Sequence, residues 1–290
     1  MARQLLRFVA SRAVQVIAVM FFVSLGVFVM TRAVPGSPAS IYLGPDASAE
    51  QVARMEARLG LDQPMYVQYI DYMGSILTGD FGRSIWYEAP VTSVIGPAIP
   101  WTVFLTASAL FLAFTVGISL GAFMAYREGS QFDVGSTGVG LFLNSTPSYV
   151  IALLAVAFLG YRFGIFPTGG RYASELTPGF NVPFPTSMLY HGALPILSMA
   201  LVGFGGWALN MRGNSIRVLG EDYLRVARLR GLPEGRIAIR YVARNAILPM
   251  YTGFLLLLGF RLGGTVILEQ IFSYTGLGYY MITALNANDY

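Results

Sequence analysis

The sequence contains no cysteine, no lysine and a single histidine. Without cysteine the chain forms no disulfide, no thiolate metal site and no cysteine nucleophile. All 19 basic residues are arginine, and a phosphate-binding loop of the GxxxxGK[ST] type needs its lysine, so ATP hydrolysis by that machinery is excluded. The lone histidine, His191, has no neighbouring ligand in the sequence, and no metal site is predicted.

Charge is also scarce. Only 12% of the 290 residues are charged and 55% are apolar, against roughly 25% charged in an average soluble domain. Long uncharged stretches at 13–31, 89–126, 134–161 and 176–211 approach or exceed the ~20 residues of a spanning helix, and Arg261 alone interrupts a fifth. The sequence therefore predicts an all-α membrane protein with five spans, at about 13–31, 101–125, 134–160, 192–211 and 246–268.

Arginine density predicts the orientation of these helices, because short cytoplasmic loops accumulate basic residues. Segments 1–12, 126–133 and 212–245 hold 12 arginines in 54 residues, whereas the alternating segments 32–99 and 161–191 hold six in 99. The N-terminus is thus predicted in the cytoplasm, and the pI of about 9.3 needs no nucleic-acid partner. The predicted divisions are the N-terminus with span one (1–31), an extracytoplasmic accessory segment (32–99), and a transmembrane core with a cytoplasmic loop at 212–245 (100–290).

Two helices are predicted in the accessory segment. Ser48 followed by Gln51 is typical of a capping box, which places a helix at 49–59 that Gly60 ends. Pro64 then opens a second helix, 64–77. We interpret the segment as a lid on the outer mouth, with a docking surface for an external protein as the alternative.

The inner loop 212–245 is too long and too regular to be a simple connector. Its apolar residues fall at helical spacing, with Arg217, Arg225 and Arg228 on the polar side. Gly231 stands where a helix end favours positive φ, and Pro233 stands where a new helix begins. The pattern predicts a helix–turn–helix outside the membrane, whose second stretch, 234–247, leads into span five.

The same loop carries a family resemblance. DYLRVARLRGL at 222–232, continued by RNAILP at 244–249, resembles the cytoplasmic coupling loop of dipeptide and oligopeptide ABC-importer permeases. The wider family carries a Glu-Ala-Ala, three residues, Gly signature, in which Ala227 and Gly231 match while Arg225 and Val226 replace the glutamate and first alanine. These departures, and a gap to Pro249 about five residues longer than in the general signature, are typical of the peptide-importer branch. Further resembling stretches are LGLDQP at 59–64, GDFGRS at 79–84, FPTGG at 166–170, HGALP at 191–195 and EQIFSYTGLG at 269–278.

The resemblance implies a type I ABC-importer permease fold with six spans, the sixth being expected beyond residue 290. It implies a subunit that forms half of a translocation pathway for peptides in the bacterial plasma (inner) membrane, with permeases for nickel or glutathione as the alternative within the family. The implied partners are a second homologous permease, two ATPase subunits that bind ATP and Mg, and an extracytoplasmic peptide-binding protein. The chain itself is then no enzyme and needs no cofactor.

The resemblance also places the ATPase contact on the inner loop, at Asp222, Tyr223, Arg225, Ala227, Arg228, Gly231 and Leu232. Ala227 is expected to allow close approach, Gly231 to supply the turn, and the arginines to pair with acidic groups of the ATPase. The alternative is an amphipathic helix lying on anionic membrane lipid.

Three residues are predicted to line the translocation path. Arg261 interrupts an apolar span, where a charge costs at least ~2.5 kcal/mol and therefore faces water or a partner. It is expected to attract a peptide carboxylate or to pair with a carboxylate of this chain or of the second permease. Asn144 precedes Pro147, which is expected to kink span three beside the path, with ordinary helix packing as the alternative explanation of the kink. An intramembrane enzyme and a secondary carrier are the rival classes, but the sequence has no HExxH or GxSxG motif and no paired intramembrane acids.

Overall fold

Helices make up the regular structure. The computed structural model describes residues 2–33, 38–44, 46–179, 181–261, 265–287 and 289. Every secondary-structure element of three or more residues in these ranges is a helix. A single β-bridge joins Arg83 and Pro90. The chain divides into two compact units, one formed by 1–94 with 283–290 and the other by 95–282. The prediction of an all-α protein is confirmed.

The first unit contains the predicted accessory helices. Its elements are α1 (Ala2–Ala33), α2 (Pro38–Leu43), α3 (Ala49–Arg58), α4 (Met65–Leu77) and the start of α5 (Val91–Ile95). The capping box is confirmed, because Ser48 N donates to Gln51 Oε1 at 2.8 Å while Ser48 Oγ accepts from Gln51 N at 3.3 Å. Gly60 has φ +67° just beyond α3, and Pro64 is the N-cap of α4, as the sequence predicts.

Aromatic packing joins α1 to α4 inside this unit. Tyr69 of α4 lies between Phe21 and Phe28, with ring centroids 5.9 and 5.4 Å away, and its hydroxyl is 2.8 Å from Ser24 Oγ. Most of the remaining apolar surface of α1 is exposed, as expected of a helix that faces lipid or another subunit.

The second unit holds the longer bundle. It begins with α6 (Ile99–Tyr126), α7 (Gln131–Ser145), α8 (Ser148–Ala155) with a π-helical continuation (Val156–Arg162), and α9 (Pro183–Leu219). It continues with α10 (Asp222–Leu229), α11 (Glu234–Arg236), a π-helical stretch (Ile237–Ala243), α12 (Arg244–Ala246), α13 (Leu248–Arg261), α14 (Val266–Ile271) and the start of α15 (Leu277–Asn286), whose residues from Thr283 onward belong to the first unit.

Three of the predicted spans are single helices, and two are bent. Among the described residues α1, α6 and α9 are each long and apolar enough to cross a membrane, and the number reaches five when each bent helix pair counts as one span. The predicted span 134–160 breaks between α7 and α8 with a 95° bend, so it is not one kinked helix as expected. Thr146 is extended there (φ −86°, ψ 128°) because Pro147 clashes with a helical conformation in the residue before it.

The predicted fifth span, 246–268, is also divided. Helix α13 follows α12 after a 47° bend and ends at Arg261, and α14 begins at Val266. The part of the prediction that falls on Leu262–Gly264 lies outside the described residues.

Glycine allows close approach between the central helices. A Cβ at Gly121 of α6 would come within 2.8 Å of Met211 Cβ on α9, and a Cβ at Gly205 of α9 would collide with the carbonyl of Gly140 on α7. Small residues at such crossings let helix backbones pack in direct van der Waals contact, which is the main attraction available to helices in lipid. Helix α9 is therefore packed tightly against both α6 and α7.

Helix α15 is not predicted by the sequence, which has glycine and asparagine at its ends. Its first N–H groups lack intrahelical partners, as at every helix start. The fully buried Glu269 accepts from Tyr279 N at 3.0 Å and from Thr102 Oγ1 at 2.9 Å, and Thr102 Oγ1 in turn accepts from Leu277 N at 2.7 Å. The EQIFSYTGLG stretch thus folds into a carboxylate-capped helix start held against α6.

Candidate functional site

The predicted helix–turn–helix is present, but its first helix is shorter than expected. Ile216 and Leu219 continue the long helix α9, and the chain breaks at Gly220 and Glu221 before α10 begins. Only two residues separate α9 from α10, so α10 directly follows the end of a 37-residue helix.

The inner face of α10 packs on the protein's own chain. Leu224 and Ala227 are buried against Ile237 and Val242, and the C-terminal end of α9 packs against the same cluster. The sequence assigned to Ala227 a close approach to an ATPase. The structure instead turns its methyl group inward, where a small residue lets α10 lie close to the following π-helical stretch.

The outer face of α10 carries apolar side chains into solvent. Val226 is 54% exposed, Leu229 is 82% exposed, and Tyr223 lies on the same face. Asp222, Arg225 and Arg230 are also exposed, whereas Arg228 donates to Glu234 Oε1 at 3.1 Å. The exposed face is thus apolar in its middle and charged around the edge, the composition of a protein-binding patch.

The turn after α10 has the conformation predicted for Gly231. Its φ is +71°, its N–H donates to Arg228 O at 2.9 Å, and Leu232 N donates to Ala227 O at 3.3 Å. These two bonds form a Schellman motif, and Leu232 packs on the cluster beneath α10. Gly231 and Leu232 therefore fix the angle between α10 and the next stretch from the inside.

A cavity of about 710 Å³ lies between α6, α9 and α13 and reaches the end of α7. Most of its lining is apolar, and its polar side chains are Asn144, Asn210, Asn214 and Arg261. The structure thus brings together two of the three residues predicted for the translocation path. Pro147 is not among the described residues that line the cavity, since it forms the break between α7 and α8.

The asparagines are held in position by helix backbone. Asn210 Nδ2 donates to Gly206 O at 2.8 Å, and Asn214 Nδ2 donates to Ala246 O at 3.3 Å. Asn144 lies against Gly206, where a Cβ would come within 2.7 Å of Asn144 Oδ1. The cavity wall therefore contains fixed amide groups in an otherwise apolar bundle.

An ion pair ties α7 to α9 beside the cavity. Arg212 Nε donates to Asp133 Oδ1 at 2.6 Å and Nη2 donates to Oδ2 at 2.7 Å. Gly129 N adds a bond to Asp133 Oδ2 at 3.0 Å, and Ser130 Oγ caps the helix start by accepting from Asp133 N. Asp133 is 1% exposed, so the start of α7 is fixed to the part of α9 that leads into α10.

Comparison with known proteins identifies the fold. Residues 117–290 match the family described as the binding-protein-dependent transport system inner membrane component, and residues 5–106 match the N-terminal region of the same membrane component. The chain belongs to this family. It is therefore a permease component of ABC transporters, an inner-membrane protein with several membrane-spanning helices, and it works with other transport subunits.

Curated relatives match almost the entire chain. The oligopeptide transport system permease protein AppB of Bacillus subtilis is 31% identical over 98% of this chain and 88% of its own length. A putative peptide transport system permease protein of Brucella suis is 34% identical over 97% and 87%, and the dipeptide transport system permease protein DppB of Escherichia coli is 31% identical over 99% and 89%. The predicted resemblance to permeases of peptide importers is confirmed.

Sequence reasoning missed four residues that the structure places at these sites. Val226 and Leu229 were part of an apolar pattern that gave no indication of which side would be covered. Asn210 falls at the end of the predicted span 192–211, and Asn214 follows four residues later on the same helix face, so this spacing was the available signal.

Proposed function

We propose that this permease is the transmembrane subunit of an ATP-driven peptide importer. It forms half of the translocation pathway beside a second homologous permease, receives peptide from an extracytoplasmic binding protein, and leaves ATP hydrolysis to two separate ATPase subunits that bind ATP and Mg. Its N-terminus is cytoplasmic, segment 32–99 is extracytoplasmic, and residues 100–290 form the transport core. The relatives AppB, an oligopeptide permease, and DppB, a dipeptide permease, support the peptide substrate.

The two-faced helix α10 is the observation that carries this proposal. Its inner face is satisfied by the protein's own core, while Val226 and Leu229 remain exposed on the outer face. Contiguous exposed apolar side chains with a polar rim mark interaction sites. The exposed guanidinium groups of Arg225 and Arg230 suit acidic groups at the edge of an ATPase groove.

The cavity supports the pathway half of the proposal. Arg261 is a permanent positive charge within an apolar helix, where a charge requires water or a partner, and it lines a mainly apolar cavity together with three asparagines. A peptide offers a complementary carboxylate and a main chain of amides, which match the guanidinium and the asparagines. Asn144 and Arg261 are thus assigned to the translocation path.

Co-purification tests the ATPase contact. We expect Val226→Glu with Leu229→Glu to release the ATPase subunits, because two carboxylates would be desolvated in the interface, while the inner face of α10 stays intact. Leu59→Glu is the matched control, since Leu59 is 52% exposed and lies in the accessory segment. The control should retain the ATPases.

Two results would contradict the docking proposal. One is retention of the ATPases by the double variant, and the other is loss in the Leu59→Glu control as well. If α10 instead lies on lipid, the double variant would weaken binding of the purified permease to anionic vesicles and leave the assembly unchanged.

A further inference from the structure

Helix α9 presents a row of residues along the cavity. Met199, Gly203, Gly206, Asn210 and Asn214 line it at intervals of three or four residues, which keeps them on one helix face. Two of these residues, Asn210 and Asn214, are asparagines whose side-chain nitrogen already donates to a backbone carbonyl. No described residue donates to Oδ1 of either amide, so each offers an acceptor to whatever occupies the cavity.

The spacing of the two acceptors matches an extended peptide. Four residues of α-helix rise ~6 Å, which separates the Asn210 and Asn214 side chains along α9. In an extended chain, N–H groups on the same side recur every second residue, or ~6.6–6.8 Å. Two alternate N–H groups of one peptide can therefore reach both oxygens at once.

The length of the cavity sets the length of the peptide. A Cβ at Gly253 of α13 would lie 3.6 Å from the Trp207 ring of α9, and Asn214 of α9 bonds to Ala246 at the end of α12, just before α13. Helices α9 and α13 therefore run in opposite directions. Asn214 lies seven residues beyond Trp207 along α9. Arg261 lies eight residues beyond Gly253 along α13, in the opposite direction. At 1.5 Å per residue the two ends are ~22 Å apart, which about six or seven residues of extended chain span.

We propose that Asn210 and Asn214 recognise the main chain of an extended oligopeptide by accepting alternate N–H groups. This inference rests on the proposed function, in which Arg261 attracts the carboxylate. Main-chain recognition leaves side chains free to point along the apolar walls formed by residues such as Met250, Leu257 and Phe260. The site then accepts peptides of many sequences but requires their amide N–H groups at two positions.

Ester-for-amide substitution tests the inference in the reconstituted transporter with its binding protein. Each ester removes one N–H from a hexapeptide while preserving its shape, and uptake KM is measured for every position. We expect two positions, two residues apart, to raise the wild-type KM about 3- to 10-fold, the size of one neutral hydrogen bond. The binding protein's own preference cancels in the ratio between wild type and variant, because the same protein delivers peptide to both.

Each asparagine should account for one of those positions. Asn210→Leu should abolish the difference in KM between ester and amide at one position, and Asn214→Leu should abolish it at the other. Asn286→Leu is the control, because Asn286 is exposed and outside the cavity lining. If a leucine variant fails to assemble, the alanine variant replaces it. Unchanged ester discrimination in both variants would overturn the inference while leaving the importer intact. A wild type that takes up no peptide would overturn the proposed function and this inference together.

Discussion

Replacing Asp133 with asparagine should destabilise the permease far more than an ordinary surface substitution. Asp133 accepts two bonds from Arg212 and one from Gly129, and it is almost completely buried. Asparagine has nearly the same shape, so the substitution removes the charge and leaves the packing in place. Its amide nitrogen would also face a guanidinium that has no acceptor capacity.

The magnitude follows from the environment of the pair. Removing one partner of a buried ion pair costs about 3–5 kcal/mol, because the remaining charge stays uncompensated. The Arg212 side chain is 28% exposed and keeps some contact with solvent, which places the loss near the lower end, about 3 kcal/mol. For a chain of this size the midpoint of thermal unfolding should fall by about 6–12 °C.

Thermal unfolding of the purified transporter in detergent measures this change. Asp133→Asn combined with Arg212→Met should recover most of the loss, because removing both partners leaves no buried unpaired charge. Glu50→Gln breaks the exposed Glu50–Arg54 pair and should change stability by less than about 1 kcal/mol. A single variant as stable as the wild type, or a double variant no better than the single one, would refute the reasoning.

Three further substitutions test other parts of the structure. Gly231→Val should separate ATP hydrolysis from peptide uptake, measured together in proteoliposomes, because a β-branched residue is strained at φ +71°, whereas Gly231→Asn should keep the two coupled. Arg261→Leu should reduce uptake of peptides with a free C-terminal carboxylate to the level of their C-terminal amides, and normal uptake would dismiss its role in the path. Gly276→Ala should lower thermal stability because its Cβ would come within 2.6 Å of Glu269 Oε2 and closer still to Thr102 Oγ1, while Gly179→Ala meets only a 3.7 Å contact and should not.

Helix α10 shows how far an apolar pattern can be interpreted. The pattern predicts a helix from Ile216, a turn at Gly231 and a new helix after Pro233. The turn and the second helix are present, but the first helix is divided at Gly220 and Glu221 into the end of α9 and the short α10. It could not assign the two faces, because α10 has apolar side chains on both. Only the positions of Ile237 and Val242 show that Leu224 and Ala227 point inward, so the exposed apolar residues of α10 include Val226 and Leu229 but not Ala227.

The cavity could be predicted only in part for a different reason. Arg261 and Asn144 stand out in the sequence because a charge and a polar cluster are costly in lipid. Asn210 and Asn214 line the cavity only because α13 lies opposite α9, a tertiary arrangement that helical spacing does not specify. The sequence predicted the position of the break at Pro147, but its 95° angle depends on how α8 packs. Because of that angle, Pro147 lies away from the cavity.

One helix connects the two proposed sites. Asn210, Arg212 and Asn214 lie within five residues on α9, and the helix then continues without proline to Leu219, which two residues separate from α10. Leu224 of α10 is buried in the same cluster as the end of α9, which keeps the short link between them from acting as a free hinge. A displacement of α10 by an ATPase would therefore move Asn210 and Asn214 directly. Through the Asp133–Arg212 pair it would also carry α7, whose last turn holds Asn144 at the cavity, so three of the four polar groups that face the peptide would move together.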